Sequence, residues 1–134
     1  MIVKNVEIMR FGEKYGKNRI IPLTKSVDFV TILNSGNILN SQPEFFGEIG
    51  HQKCAGGIIF NQLAIAIRNP YLSNWCHSIF AEIEILSTPF GIQIAEFLRS
   101  NGKDFRDFFV VTPYEIGMNE EIILLGFIVS ERKS

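Results

Sequence analysis

"HSIFAEIEILSTPFGIQIAEFLRSNG", His77 to Gly102, contains the change of period on which the fold reading turns. Ile79, Ala81, Ile83 and Ile85 alternate with Ser78, Phe80, Glu82 and Glu84. A period of two is that of a strand with one face buried. Glu82 and Glu84 then share the outward face and read as a solvated face, not as a catalytic pair. After Leu86 the period lengthens. Phe90, Ile94, Phe97 and Leu98 fall at helical spacing and form the expected buried stripe. Thr88 is placed to cap this helix, Pro89 suits its first position, and Gly102 suits its end.

The segments on either side extend the pattern. "IVKNVEIMR" alternates Val6 and Ile8 with polar neighbours and reads as a strand. "FGEKYGKNRIIP" reads as a loop with two glycines. "LTKSVDFVTILNSGN" predicts the first helix, near residues 25–35. Thr24 or Ser26 serves as its cap, Val27, Val30 and Ile32/Leu33 supply the helical spacing, and Gly36 is the C-cap. "FFGEIG" is a short strand leading to His51. "GGIIFNQLAIAIR" is a long half-buried strand after a Gly-Gly joint, and "FFVVTP" and "EIILLGFIVS" are two more. There is no internal repeat or Pro/Ser-rich linker. The expectation is one domain over residues 1–134 of α+β class: a mostly antiparallel β-sheet or barrel with two helices packed on it, the second near residues 89–100.

Composition narrows the functional classes. The chain has 134 residues, 46% hydrophobic, with 13 basic and 14 acidic side chains and a formal net charge of −1. That is enough apolar content for a core and no basic field for a phosphate backbone, so nucleic acid is not an expected partner. Apolar runs are too short to span a bilayer, and "MIVKNVEIMR" lacks a signal-peptide core, so neither a membrane nor secretion is expected. Two cysteines, Cys54 and Cys76, make no disulfide framework; whether they pair is left open. With His51 and His77 they supply two ligands of each type, but only half the paired spacing of a zinc site, so no metal is expected. "CAGGIIF" enters a strand where a phosphate loop would need a lysine and a helix. No organic cofactor and no small-molecule ligand are expected.

Five segments, in order, add a resemblance. "KNRIIPLTKSVDFV" is similar to an N-x-R-x-Y-P element that leads into a helix. "FGEIGHQ" is similar to G-E-[LI]-x-H-P. "FAEIEILSTPFGIQIAEFLRSNG" matches a strand, a T-P turn and a helix ending in glycine. "VVTPYEIG" stands where V-S-[SP]-R-G-x-G is found, and "EIILLGFIVSERKS" is similar to a last core strand of the form L-x-x-F-D-V-V-x-x-P-S. Over roughly residues 15–134 the chain resembles the prohead proteases of tailed bacteriophages, which share their fold with herpesvirus assemblin. The resemblance implies a prohead-protease/assemblin-like fold. It puts His51 in the position of the catalytic base and Thr112 in that of the nucleophilic serine. Tyr114 falls on the motif's arginine, Glu115 on its glycine, and Ile128 on the acidic residue of the last strand. Of these positions only His51 and Gly117 keep the family residue.

The departures fall on the chemistry. A serine-type protease needs a primary alcohol, a base within reach and N–H donors for the oxyanion. Thr112 has a secondary, β-branched alcohol with restricted χ1. Pro113 has no N–H, and Glu115 sets negative charge against a developing oxyanion. One lost oxyanion donor typically costs about 10²–10³ in rate. Cys54, Ser87 and Ser130 are other nucleophile candidates, with no triad visible in the sequence. For a chain that has lost its serine, the favoured reading of His51 is a loop histidine at a strand end, kept by descent or used as a surface contact, and His77 reads as an exposed strand-edge residue. Tyr71, Leu72 and Trp75 in "NPYLSNW" form either an exposed apolar loop tip or a hairpin anchor.

The expected function is therefore a phage-head structural or assembly protein with a protease-like fold that has lost its catalytic serine. It would bind capsid or scaffold protein, or further copies of itself, in the virion head or the host cytoplasm. The alternatives are an active head-maturation protease that cleaves scaffold and capsid proteins, and a small effector that binds a host protein. If the fold reading holds, His51 and Thr112 are expected to lie close together.

Overall fold

The computed structural model describes residues 1–15, 20–40, 45–49, 63–73, 77–102, 104–118 and 121–132. Six strands are seen: β1 (Ile2–Arg10), β2 (Phe46–Ile49), β3 (Leu63–Leu72), β4 (Ser78–Ile85), β5 (Phe109–Met118) and β6 (Glu121–Glu131). Three helices accompany them: α1 (Ser26–Asn40), entered through a 3₁₀ turn at Leu23–Lys25, α2 (Pro89–Asn101) and the short α3 (Phe105–Phe108). The strands form one sheet in the order β1-β4-β3-β2-β6-β5. Every neighbouring pair is antiparallel except β2–β6, which is parallel. The sheet curls until β1 and β5 meet, giving a nearly closed barrel. The fold is thus α+β, with the expected mostly antiparallel sheet.

The quoted stretch folds as its periods dictate. Ile79, Ala81, Ile83 and Ile85 are buried in β4, while Phe80, Glu82 and Glu84 are half-buried. Glu84 is paired with Arg68 at 2.9 Å, and Glu82 accepts from the Asn69 side-chain amide at 3.0 Å. Thr88 caps α2 by accepting from the Gly91 N–H, Pro89 opens the helix, and Gly102 closes it in the left-handed conformation at φ 65°. Ile94 and Leu98 bury α2 against the sheet. Phe97 departs from the expected stripe: it is 42% exposed and packs edge-on against Phe108 and Phe109 at the side of the core.

The first helix is the larger correction. It passes through Gly36 to Asn40, so Gly36 is not a cap. Its buried stripe is Ser26, Phe29 and Leu33, whereas Val27 and Ile32 are 58% and 44% exposed. One register of the 3.6 period was exchanged for its neighbour, because "VDFVTIL" carries apolar residues on both sides. Phe29 packs on Phe11, their ring centroids 6.1 Å apart. Helix α3 was not anticipated. Its signal is a capping box in which Asp104 accepts from the chain beyond it while Asp107 accepts from the Asp104 N–H.

Both helix faces close on one apolar cluster that includes Phe11, Phe29, Ile65, Ile83, Ile94, Phe105, Phe127 and Val129. Each such side chain contributes about 1.5–3 kcal/mol when removed from water. Among the described residues, no helix is long and apolar enough to cross a membrane.

Candidate functional site

Strands β2, β6 and β5 lie side by side, and their registers set out the site row by row. Gly47, Phe127 and Pro113 share one row; Glu48, Ile128 and Thr112 the next; Ile49, Val129 and Val111 the third. Paired residues share a face of a sheet, and each strand spacing is about 4.8 Å. Glu48 and Thr112 therefore stand on the same row, about 10 Å apart at the backbone, with Ile128 between them. Thr112 is half-buried. Glu48 is 0% exposed, a carboxylate taken wholly into the fold. The first and third rows carry the core. A Cβ on Gly47 would come within 2.5 Å of Ile65 Cγ1, so any larger residue where β2 crosses that side chain would have to displace it.

His51 lies outside the described residues, as do Cys54 and Cys76. The expected closeness of His51 and Thr112 thus falls outside them too. β2 ends at Ile49, two residues before His51, in the row that crosses Val129 to reach Val111, the residue before Thr112.

The backbone at Thr112 is tied on both sides. The Tyr15 hydroxyl lies 2.8 Å from the Val111 carbonyl oxygen and 3.1 Å from that of Glu7, bridging β5 and β1 across the seam. That turns the Val111 carbonyl out of the β5–β6 ladder. In an antiparallel pair the polar groups of successive residues point alternately in and out of the ladder. The Thr112 N–H is accordingly turned toward β6, and the Pro113 position points outward, where the ladder needs no donor. Pro113 is fully buried opposite Phe127. Neither residue presents a free N–H beside the Thr112 hydroxyl.

A polar cluster missed in the sequence backs this seam. Arg10 makes two hydrogen bonds to the Glu7 carboxylate, at 3.2 and 2.5 Å, and an ion pair with Glu13 at 3.3 Å. The Arg10 guanidinium carbon sits 4.9 Å over the Tyr15 ring, and the Ser78 hydroxyl donates to Glu7. The bonds to Glu7 raise the pKa of Arg10 above its ordinary value. Burial, then the charge of Glu7, pushes the Tyr15 phenol well above its ordinary value, against the weaker pull of Arg10 and Arg132. Tyr15 stands in the loop "FGEKYG", and only its aromatic character among charges set it apart.

The remaining candidates are dispersed. Ser87 is exposed in the turn before α2, and Ser130 is exposed on β6 opposite Val110. His77 is exposed as expected, and its carbonyl accepts from the Phe11 N–H at 2.7 Å. Tyr71 is 44% exposed and stacks on Phe80 at 6.0 Å; Trp75 lies outside the described residues. Among the described residues no three His, Cys, Asp or Glu gather as metal ligands.

No family model matches the chain, and no curated protein matches it by sequence. A solved structure does match: the capsid assembly protease of bacteriophage T4, with a TM-score of 0.58 and 16% identity over 98% of this chain and 83% of that one. At that identity the likeness is one of fold. The chain has a prohead-protease-like fold.

Proposed function

We propose that this chain is a structural or assembly protein of a phage head, in which a protease-like fold binds other head proteins and does not cut them. The observation that carries the proposal is the backbone at Thr112. Its N–H is turned into the β6 ladder, Tyr15 holds the preceding carbonyl, and the next residue is Pro113, which has no N–H. An oxyanion beside this hydroxyl would meet no backbone donor from either residue. The secondary alcohol of Thr112 compounds the loss, and so does Ile128 on the adjacent strand, an apolar residue that cannot orient an imidazole. Capsid protein, scaffold protein or further copies of the chain are the partners of this reading, and the virion head is where it would act.

The second reading, a working head-maturation protease, is favoured by the likeness to a capsid assembly protease. It would use His51 as base and Thr112 as nucleophile. Incubation with scaffold and capsid protein, wild type beside His51→Ala, separates the two. The proposal expects no cleavage by either. Cleavage by the wild type that vanishes in the variant would overturn it.

A further inference from the structure

We propose that the cleft between the start of β1, the end of α2 and the start of α3 docks an acidic peptide segment of a partner protein. The cleft encloses about 400 Å³. Its apolar wall is formed by buried Leu98 and Phe105 and by Ile2, which is 54% exposed. Lys4, Arg99 and Arg106 stand around it as cations. The one carboxylate among its lining side chains, Asp104, is already bound to Arg106 at 2.6 Å. That pair leaves Lys4 and Arg99, both exposed and without a carboxylate partner among the described residues.

Arg99 taken alone is an ordinary helix-end cation, since a positive charge in the last turn suits the helix dipole. The combination is less ordinary. The chain as a whole has a net charge of −1, yet this cleft carries two cations with no carboxylate partner among the described residues, beside the exposed side chain of Ile2. An anion held there gains from both charges, and a neighbouring apolar side chain gains from covering Ile2. A peptide with carboxylates flanking an aliphatic residue offers both. A nucleic acid fits less well, because these two cations neutralise few phosphates and Phe105, the aromatic residue of the wall, is fully buried and offers bases no platform.

The inference names the partner chemistry of the binding module proposed above, and its assignment to head assembly rests on that reading. A chain that also cuts could still dock such a segment here, so the two proposals fail separately.

The test is fluorescence anisotropy on the full chain, with a labelled Glu-rich peptide carrying one central leucine. Saturable binding that weakens with added salt is expected. Reversing Lys4→Glu and Arg99→Glu together should weaken it about tenfold, as expected for two partly screened charges. Reversing Lys14→Glu and Lys25→Glu, an equal change in net charge away from the cleft, should leave it within about twofold. Asp104→Asn keeps a good N-cap residue and frees Arg106, so it should tighten binding; a misfolded variant could not imitate that gain. Equal losses from both reversal pairs, no saturable binding, or tighter binding of a single-stranded oligonucleotide with the same variant pattern would each overturn the proposal.

Discussion

Replacing Tyr15 with phenylalanine removes one oxygen atom from the seam between β1 and β5. The ring and its contact with Arg10 remain, so the change isolates the hydrogen bond. The hydroxyl reaches the Val111 carbonyl at 2.8 Å, and Val111 is 0% exposed, so water has no easy path to replace it. A net hydrogen bond contributes about 0.5–1.5 kcal/mol, and a buried acceptor left unpaired costs about 1–3 kcal/mol. A loss of about 1–2 kcal/mol at pH 7 is expected, and urea unfolding would read it as a midpoint lowered by roughly 0.5–1 M. The same residue gives the loss a pH signature. Burial raises the folded-state phenol above its ordinary value of 10.0. Below about pH 10 both states keep the proton, and the contribution of Tyr15 is fully present. As pH rises further the unfolded chain releases its proton first, so the wild type loses stability at up to about 1.4 kcal/mol per pH unit. Tyr15→Phe has no such group. The gap between the two proteins should therefore be widest at pH 7 and shrink by about pH 11. A gap that stays constant from pH 7 to 11, or no gap at pH 7, would refute the reasoning.

Gly91→Ala should destabilise the protein even though alanine is favoured in helices by about 1 kcal/mol. The new Cβ would press on the Leu86 carbonyl and lie 3.0 Å from that of Ala64, so α2 must lift from β3. A net loss of about 2 kcal/mol or more is expected in thermal unfolding, and a raised melting temperature would contradict it. Thr88→Val removes the hydroxyl that accepts from Gly91 and donates to the Leu63 carbonyl, and should cost about 1–2 kcal/mol by urea unfolding. Thr112→Ser should produce no cleavage of scaffold or capsid protein, because Pro113 still offers no donor; cleavage measured on a gel would show that the donor argument is wrong.

Where local chemistry decides the structure, the residues announced it. The alternation of Ile79 to Ile85 and the Thr88, Pro89 and Gly102 signals of α2 are short-range and unambiguous. Reading failed where two local solutions were close in energy. A glycine inside a helix costs only about 1 kcal/mol, so Gly36 did not stop α1 once Phe29 and Leu33 were packed on the sheet. Phe97 carries the helical spacing of a core residue but faces Phe108 and Phe109 at the edge, because α3 and the start of β5 reach it there. Non-local pairings were not readable at all. Nothing in "FFGEIG" or "EIILLGFIVS" states that β2 and β6 run parallel, or that Glu48 shares a row with Thr112. The cluster of Glu7, Arg10, Tyr15 and Ser78 joins residues up to 71 positions apart, and no spacing rule reaches that far.

The most direct test of a head protein that does not cut is the intact mass of this chain recovered from mature phage heads. The account predicts the full-length chain, uncleaved and in a regular copy number relative to the capsid protein. Absence of the chain from mature heads, or recovery only as fragments that His51→Ala prevents, would contradict it.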